Sequence, residues 1–462
     1  MSQDLLTGTT LRQRARNGVA DEHVRSALRS VTDRLADMRV DAQESLTNWE
    51  ELRDAARAMR GHIVARLPEI LDRLASNVEA SGGTVFWAAD AAEATAYIAG
   101  VARDRGVKRV VKSKSMVTEE IHLNDVLQAD GIEVVETDLG EWIIQLAQQM
   151  PSHILAPAIH MTRGDVADLF NRVADGDLSD VPEELCAFAR EQLRNRFLTA
   201  DLGISGCNFG VAETGSTILV TNEGNGRMVT TLPPVHIAVM GMERVVETWE
   251  QLDLMMNLLP RAASGQDISV YVSQVTGARR VGELDGPEQF HLVILDNGRS
   301  DLLGSEYQEM LNCIRCGACL NVCPVYRQMG GHGYGWVYSG PMGAVLTPLL
   351  NRQPEAAELS SASTLCSACY DACPVKIPLQ DLLLGLRRDR ADEAGRAERA
   401  TWDAWAAAWS RPGAYRTSVR MAGAMGRILP AGLFPTGWTA GREVPRRPDG
   451  GSFRRRFAKG DI

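Results

Sequence analysis

Four cysteines in the C-terminal half of the chain are separated by gaps of two, two and three residues. They are Cys313, Cys316, Cys319 and Cys323, and Pro324 follows the last of them. Two-residue gaps let three successive thiolates reach one iron–sulfur cube from a tight loop, as in bacterial ferredoxins, where the fourth cysteine ligates a second cluster. The spacing therefore predicts a 4Fe-4S site and a second cysteine motif further along the chain.

A second motif, with one cysteine fewer, follows. Cys366, Cys369 and Cys373 precede Pro374, and Ser363 stands where a complete motif would begin. The crossed ligation of two-cluster ferredoxins assigns the thiolates to two sets: Cys313, Cys316, Cys319 and Cys373 for the first cluster, and Cys323, Cys366 and Cys369 for the second. The remaining iron of the second cluster is open to Ser363, a hydroxide or a group from a partner, or it is absent, which leaves a 3Fe-4S core.

Zinc is the alternative metal for these cysteines. C-x2-C pairs also suit tetrahedral zinc, but zinc takes four ligands per ion and does not require Cys-Pro endings. Seven of the nine cysteines lie between Cys313 and Cys373, and clustered thiols in a reducing compartment favour metal binding over disulfides. The other two, Cys186 and Cys207, lie far upstream, and we expect both to be buried and inert.

A small basic cluster and two histidines are weaker candidates for a site. Lys112, Lys114 and Ser115 follow a strand-like run. We expect a solvated charged turn there, and the alternative is anion binding at the start of a helix. His153 and His160 lack a nearby set of ligands, so we expect neither to bind a metal.

Two glycine-rich stretches place carboxylates beside turns. They are Glu213–Ser216 and Asn222–Arg227, where free backbone N–H groups could hold a phosphate or carboxylate. The plainer interpretation is that Gly224 and Gly226 supply positive φ in a turn and that Arg227 pairs with Glu223.

Aromatic and basic residues near the C-terminus suggest contacts with other surfaces. Trp402, Trp405 and Trp409 are spaced to share one face of a helix. We expect this face to pack on the chain's own metal domain, with partner docking as the alternative. The run Arg454–Arg456 is expected to be a solvated tail, and binding to an acidic partner is its alternative.

The elements that must position these residues change character along the chain. Apolar positions recur at helical spacing in residues 1–80, and residues 81–300 alternate strand-like with helical stretches, which predicts an α/β layered domain. Residues 301–390 are predicted to form an α-helical, two-cluster ferredoxin-like domain, and residues 391–462 a helix with a basic tail. The strand-like runs are VKRVVKS (107–113), IEVVET (132–137), HILAPAI (153–159), STILVTN (216–222), HIAVMG (236–241), SVYVSQVTG (269–277) and QFHLVILDNGRS (289–300).

Length and composition exclude several classes of protein. The chain has 462 residues, 45% of them hydrophobic and 23% charged, which indicates two to four globular domains rather than a disordered or fibrous chain. The formal net charge of -10 argues against nucleic-acid binding. No apolar run is long enough to span a membrane, and no signal peptide precedes the first helical stretch, so we expect a cytoplasmic protein.

Long stretches of the chain resemble the lactate utilization protein B family. They include KSKSMVTEEIHLNDVL (112–127), ETDLGEWIIQLA (136–147), ADLGISGCNFGVAETGS (200–216), TNEGNGRMVTTLPPVHIAVMGMERVV (221–246) and both cysteine motifs with the missing eighth cysteine. The resemblance implies an iron–sulfur protein that acts with two other lactate-utilization proteins in oxidising L-lactate to pyruvate. It also implies that the α/β domain has a fold like that of CoA transferases and sugar-phosphate isomerases.

Two functions from different classes follow. In the first, the chain is an electron-transfer subunit whose clusters accept electrons from lactate oxidation on a partner. In the second, its own α/β domain binds and transforms a small organic acid, with the clusters as the outlet for electrons. A redox-sensing protein is a third possibility, which the lack of a DNA-reading element disfavours.

Overall fold

The computed structural model describes residues 6–174, 176–393, 395–428, 456–457 and 459–460. The chain divides into two compact units, with the division after Arg388. The first unit contains the N-terminal helices, two sheets and the cysteine motifs, and the described part of the second contains two complete helices. Arg454 and Arg455 of the basic run lie outside the described residues.

Four helices precede the first strand. They are α1 (Leu11–Ala20), α2 (Glu22–Glu44), α3 (Trp49–Ala65) and α4 (Leu67–Ala80). Side chains fix where the first two begin: Thr10 and Gln13 form a capping box at the start of α1, and the Asp21 carboxylate accepts a hydrogen bond from Val24 N at the start of α2. Each cap satisfies a backbone N–H that the helix leaves free.

In the part of the chain that the structure describes, ten strands form two sheets. In chain order they are β1 (Thr84–Ala88), β2 (Arg109–Lys112), β3 (Glu133–Glu136), β4 (Leu202–Gly206), β5 (Phe209–Val211), β6 (Ser216–Thr221), β7 (Val235–Gly241), β8 (Val245–Val246), β9 (Tyr271–Val275) and β10 (Gln289–Leu295). The main sheet is parallel throughout, in the order β1-β10-β7-β4-β2-β3. The smaller sheet is mixed, in the order β8-β5-β6-β9.

Helices cover both faces of the parallel sheet. They belong to the set α5 (Ala91–Asp104), α6 (Met116–Glu120), α7 (Leu123–Ala129), α8 (Leu139–Ala147), α9 (Arg163–Ala174), α10 (Pro182–Leu198), α11 (Asn225–Thr231) and α12 (Trp249–Ser264). On one face Val110 packs in a core with Ile98 of α5, and on the other Val111 packs with Phe170 of α9. Neighbouring residues of one strand thus enter opposite cores, as the period of two requires. The predicted α/β layering is confirmed.

One predicted strand is wrong. Residues 153–159 form a loop instead of a strand. The ring of His153 accepts hydrogen bonds at Nδ1 from the backbone N–H groups of Leu155 (3.0 Å) and Ala156 (3.2 Å), and Pro157 has no N–H to donate to a ladder. The apolar pattern of this run reflects buried side chains, while a side chain of the run itself satisfies two of its backbone N–H groups.

The chain after β10 is helical. No strand occurs between residue 296 and residue 428 in the part that the structure describes, which confirms the predicted helical, ferredoxin-like region. Its short 3-10 helices are Ser300–Leu302, Gln308–Asn312, His332–Tyr334 and Pro354–Ser361. Its α-helices are α13 (Ala318–Asn321), α14 (Tyr326–Met329), α15 (Gly340–Leu350), α16 (Ala368–Ala372), α17 (Leu379–Asp392), α18 (Arg396–Ser410) and α19 (Pro412–Ile428).

Among the described residues, no helix is both long enough and apolar enough to cross a membrane.

Candidate iron–sulfur site and the adjoining cavity

Four thiols surround one small cavity of about 20 Å³. Its lining includes Cys313, Cys316, Cys319 and Cys373, the four residues that the crossed spacing assigns to one cluster. Cys316 is partly buried and the other three are at most 9% exposed. Burial, followed by the charges of the neighbouring thiolates, raises the pKa of Cys316. Four converging thiol donors with no carboxylate among the lining residues suit iron–sulfur ligation.

Left-handed backbone positions turn the first cysteine loop around this space. Arg315 has φ 58° and Gly317 has φ 78°, on either side of Cys316. Arg315 N donates to Cys313 Sγ at 3.4 Å, and Ile377 N donates to Cys373 Sγ at 3.4 Å. Backbone N–H groups directed at the sulfurs stabilise thiolate charge.

The remaining three cysteines form a second group. Cys369 interacts electrostatically with Cys323 and Cys366, and burial followed by these two charges raises the pKa of Cys369 to about 12. Cys369 also interacts with Cys319 of the first group, so the two groups adjoin. The second group differs in exposure, because Cys366 lies on the surface.

The second loop repeats the backbone of the first. Leu365 has φ 55° and Ser367 has φ 65°, at the positions that correspond to Arg315 and Gly317. Leu365 N donates to Ser363 Oγ at 3.1 Å, as Arg315 N donates to Cys313 Sγ. Ser363 therefore occupies the place in its loop that Cys313 occupies in the first.

A single zinc ion fits these groups poorly. Within the described ranges, no three Cys, His, Asp or Glu side chains converge closely enough to hold one metal ion. Zinc places each sulfur about 2.3 Å from the metal, whereas a cube spreads its ligands over several irons.

Arginines from other parts of the first unit hold the cysteine loops by their carbonyls. Arg53 of α3 donates from Nη2 to the carbonyl of Cys373 at 2.8 Å. Arg244, which follows β7, donates from Nη1 to the carbonyl of Cys313 at 2.9 Å. Arg60, fully buried on α3, donates to a carbonyl just before Cys313. Sequence analysis missed all three, because each contact spans at least 69 residues.

A larger cavity, of about 610 Å³, lies at the carboxyl edge of the parallel sheet. Lys114, Cys207 and Arg244 line it, and they follow β2, β4 and β7, which are neighbours in the sheet. Ligand sites in open α/β sheets form at this edge. Arg315 and Cys316 line this cavity and also the small one, so the two spaces share a wall.

A buried ionic network forms part of that shared wall. Glu243 Oε1 lies 3.0 Å from Arg315 Nη2, and Glu243 Oε2 lies 2.9 Å from Arg299 Nε. Arg299 also pairs with Glu120 at 2.7 Å, and Tyr338 donates its hydroxyl to Glu120 at 2.6 Å. Burial alone would raise the pKa of Glu243, but the charges of Arg299 and Arg315 outweigh it and lower that pKa to about 2.

The basic cluster at the end of β2 is not the solvated turn that we expected. Lys112 is fully buried, with Nζ 2.6 Å from both Glu136 Oε1 and Asn124 Oδ1. Burial opposes the charge of Lys112, yet the neighbouring carboxylates raise its pKa above the ordinary value. Lys114 points to the larger cavity and donates to a carbonyl at 2.7 Å. Ser115 caps α6.

The two histidines are packing residues. His153 Nε2 lies 3.0 Å from Asn321 Oδ1, and His160 Nε2 lies 2.6 Å from Gln149 Oε1. Burial lowers the pKa of each to about 4, so both rings are neutral at pH 7.

The expectation that Gly224 and Gly226 have positive φ and that Arg227 pairs with Glu223 is wrong. Neither Gly224 nor Gly226 has positive φ, and Gly226 lies inside α11. No ion pair between Glu223 and Arg227 is found among the described residues. Glu223 instead accepts from Leu139 N at 3.3 Å. In the other stretch, Glu213 accepts from Trp249 N at 2.8 Å, at the start of α12.

The two upstream cysteines also differ from expectation. Cys186 is exposed on α10, not buried, because it falls on the solvent face of an amphipathic helix. Cys207 is partly buried in the wall of the larger cavity. Removal from water raises the pKa of Cys207 to about 12, which disfavours the reactive thiolate form.

In the second unit, the three tryptophans do share one face of a helix. On α18, Trp402, Trp405 and Trp409 are 60%, 49% and 45% exposed. Their rings contact one another at centroid distances of 5.9 and 5.0 Å, and Trp409 contacts Tyr415 of α19 at 5.1 Å.

Comparison with known proteins places three family models along the chain. A LUD domain matches residues 71–295, a 4Fe-4S dicluster domain matches 309–377, and the lactate utilisation protein B C-terminal family matches 387–460. The dicluster match supports iron–sulfur clusters in the cysteine region.

Curated relatives match over most of the chain. "Lactate utilization protein B" of Macrococcus caseolyticus is 48% identical, with 96% of each chain covered. The protein of the same name from Bacillus subtilis is 51% identical over 84% of this chain and 81% of its own. A solved DUF162 family protein from Deinococcus radiodurans aligns with 50% of this chain and 98% of its own, at 14% identity and a TM-score of 0.27.

Proposed function

This chain belongs to the lactate utilization protein B family, and from that premise we propose that it carries electrons in the oxidation of L-lactate to pyruvate, together with two other lactate-utilization proteins. Its part in lactate utilization is iron–sulfur electron transfer. The observation that supports the proposal most directly is the convergence of four thiols on one buried space.

The ligands of the two clusters follow from the two groups of thiols. We assign Cys313, Cys316, Cys319 and Cys373 to cluster 1, and Cys323, Cys366, Cys369 and Ser363 to cluster 2. The supporting contacts are the shared cavity of the first group, the mutual interactions of the second, and the matching turn at Ser363. When bound, such clusters accept and release single electrons. The chain's own role is to hold the thiolates, exclude water from cluster 1 and leave one edge of cluster 2 accessible.

The exposure of the two groups of cysteines suggests which cluster a partner protein approaches. Cluster 1 would be enclosed, since Cys313, Cys319 and Cys373 are buried, whereas Cys366 of cluster 2 lies on the surface. A partner redox protein would therefore exchange electrons at the Cys366 edge.

The α/β domain is proposed to share the fold of CoA transferases and sugar-phosphate isomerases. The parallel sheet covered by helices on both faces is compatible with that assignment. A shared fold does not establish a shared activity, so no transferase or isomerase reaction is assigned to it.

Anaerobic purification tests the proposal. The protein should contain about seven to eight irons, as two cubes or a cube and a three-iron core require, and dithionite should bleach its visible absorbance. Lactate should bleach it only when the two partner proteins are added. Stoichiometric zinc without iron would contradict the cluster assignment. Bleaching by lactate with the isolated chain would instead favour the alternative, in which the α/β domain itself transforms the acid.

A further inference from the structure

The larger cavity is not explained by the cluster ligands. Its volume of about 610 Å³ lies in the range of organic ligand sites, roughly 300–1,000 Å³. At ~30 Å³ per water, it has room for about 20 water molecules. A lactate ion, with six non-hydrogen atoms, would leave most of it to water. The space therefore suits a larger molecule than the substrate of the pathway.

The cavity has apolar walls and a cationic end. Apolar side chains from four different segments face it, among them Met116, Ile143, Leu219 and Leu259. Arg244 and Arg315 line it as well. An amphipathic ligand, with an apolar body and one charged group, matches this distribution.

Basic residues outnumber acidic ones along the cavity. Its lining includes Arg34, Lys114, Arg244 and Arg315 against Asp138, Glu223 and Glu243. Glu243 divides its oxygens between Arg299 and Arg315, and no described carboxylate lies within ion-pair distance of Arg244. The thiolate of Cys313 offsets part of the charge of Arg244 and Arg315, and an anion in the cavity would add a direct ion pair to these guanidinium groups.

One buried donor without a partner suits an anion, and one buried acceptor without a partner requires a donor, which a water or a ligand hydroxyl supplies. Arg315 Nη1 is buried and has no hydrogen-bond partner among the described residues. Asn225, which is 5% exposed and also lines the cavity, leaves its Oδ1 atom without a donor. A buried polar atom without a partner is destabilising unless water or a ligand satisfies it.

We propose that this cavity binds an anionic organic molecule larger than lactate, a carboxylate or phosphate monoester with an apolar body, whose oxyanion pairs with Arg315 and Arg244. Since Cys316 lines the same cavity, the bound molecule lies against a ligand of cluster 1. Binding should therefore alter the spectrum of that cluster. The inference goes beyond electron transfer and does not depend on which subunit oxidises lactate.

Calorimetric titration of the anaerobic holoprotein tests the proposal with defined probes. The anions are octanoate and octyl phosphate, and the comparisons are octanol, which has no charge, and L-lactate, which has no long apolar body. We expect saturable binding of at least one octyl anion and affinities at least about tenfold lower for octanol and lactate, the change expected for losing one charge-assisted hydrogen bond or a comparable apolar contact. Preference between the two anions identifies a carboxylate or a phosphate site.

Three variants test how anion binding depends on the charge of Arg315, on the volume of the cavity and on a surface arginine that serves as a control. Arg315→Gln should weaken anion binding about tenfold, and Arg352→Gln, an exposed arginine outside the cavity, should leave it unchanged. Ala158→Trp should fill the cavity from a loop that holds no cysteine and abolish binding, with iron content unchanged.

Electron paramagnetic resonance of the reduced protein should shift with the anion in the wild type and not in Ala158→Trp. Equal binding of octanol and octanoate, or no saturable binding of either anion, would overturn the proposal.

Discussion

The Oγ atom of Ser363 accepts a hydrogen bond from Leu365 N at 3.1 Å, as Cys313 Sγ accepts one from Arg315 N at 3.4 Å. The two loops also share left-handed residues at matching positions. Serine oxygen is a weaker and harder ligand for iron than thiolate sulfur. The iron at this corner of cluster 2 should therefore be the first to leave on oxidation.

Ser363→Cys tests this corner. Brief exposure of the wild type to air should produce a 3Fe-4S paramagnetic resonance signal, and the substitution should suppress it, because a fourth thiolate retains the iron. Ser361→Cys is a matched control two residues away and should behave as the wild type. A signal that persists in Ser363→Cys, or its absence from the wild type, would assign the corner to another group.

The loss of iron on removing a cysteine should depend on whether that cysteine lies in the two cysteine motifs. Cys316→Ser removes a proposed ligand of cluster 1 and should lower iron content by about half, the share of one cube of two. Cys186→Ser, at an exposed site on α10, should leave iron content and stability unchanged. Iron analysis of the two variants, purified side by side, checks the distinction, and equal loss in both would remove it.

A buried histidine should make stability depend on pH. Burial, followed by the charge of His291, lowers the pKa of His236 to about 3 from 6.5. The unfolded chain then binds the proton more readily, so stability is full above pH 6.5 and falls below it by about 1.4 kcal/mol per pH unit. Between pH 7.5 and 5.5, the thermal midpoint of His236→Gln should fall less than that of the wild type. Equal falls would contradict the assignment.

At the scale of elements, α3 fastens the cysteine region to the rest of the first unit. Arg60 on this helix is fully buried and donates to the carbonyls of Val245 (2.8 Å), Glu243 (2.6 Å) and Leu311 (3.0 Å). One side chain thus joins the segment after β7 to the 3-10 helix that leads into Cys313. Such contacts explain why the cysteine loops keep their shape although their own helices are short.

Arg60→Met should destabilise the protein by about 3 kcal/mol or more, because it leaves buried carbonyls without donors. Arg57→Met, on the same helix, removes a half-exposed ion pair with Glu309 at 3.1 Å and should change stability by less than about 1 kcal/mol. Thermal unfolding of both holoproteins measures the difference. Similar losses would mean that the helix itself, and not the buried bonds, supports the region.

At the scale of the whole molecule, the two proposed clusters would differ in their access to solvent. Cys366 is exposed, while three of the four ligands proposed for cluster 1 are buried. An iron chelator such as bathophenanthroline should therefore remove iron in two phases, the faster from cluster 2. Absorbance of the iron complex follows the phases, and Ser363→Cys should slow only the first. A single phase would show that the two sites are equally accessible.

The sequence by itself determined what depends on neighbours along the chain. The cysteine spacing, the vacancy at Ser363 and the alternation of strands and helices can be read locally, because a loop of two-residue gaps and the periods of strand and helix are properties of short segments. The order of the sheet, the covering of both its faces and the burial of Lys112 cannot be read in this way.

Tertiary structure decided where those segments meet. Lys112 is buried because Glu136 and Asn124 come from segments that the main sheet brings beside it, and residues 153–159 form a loop because their side chains satisfy their own backbone. The arginines that hold the cysteine loops and the cavity beside Cys316 arise from residues far apart in the chain. Composition and spacing do not predict such contacts, because burial and charge pairing depend on which distant surfaces pack together.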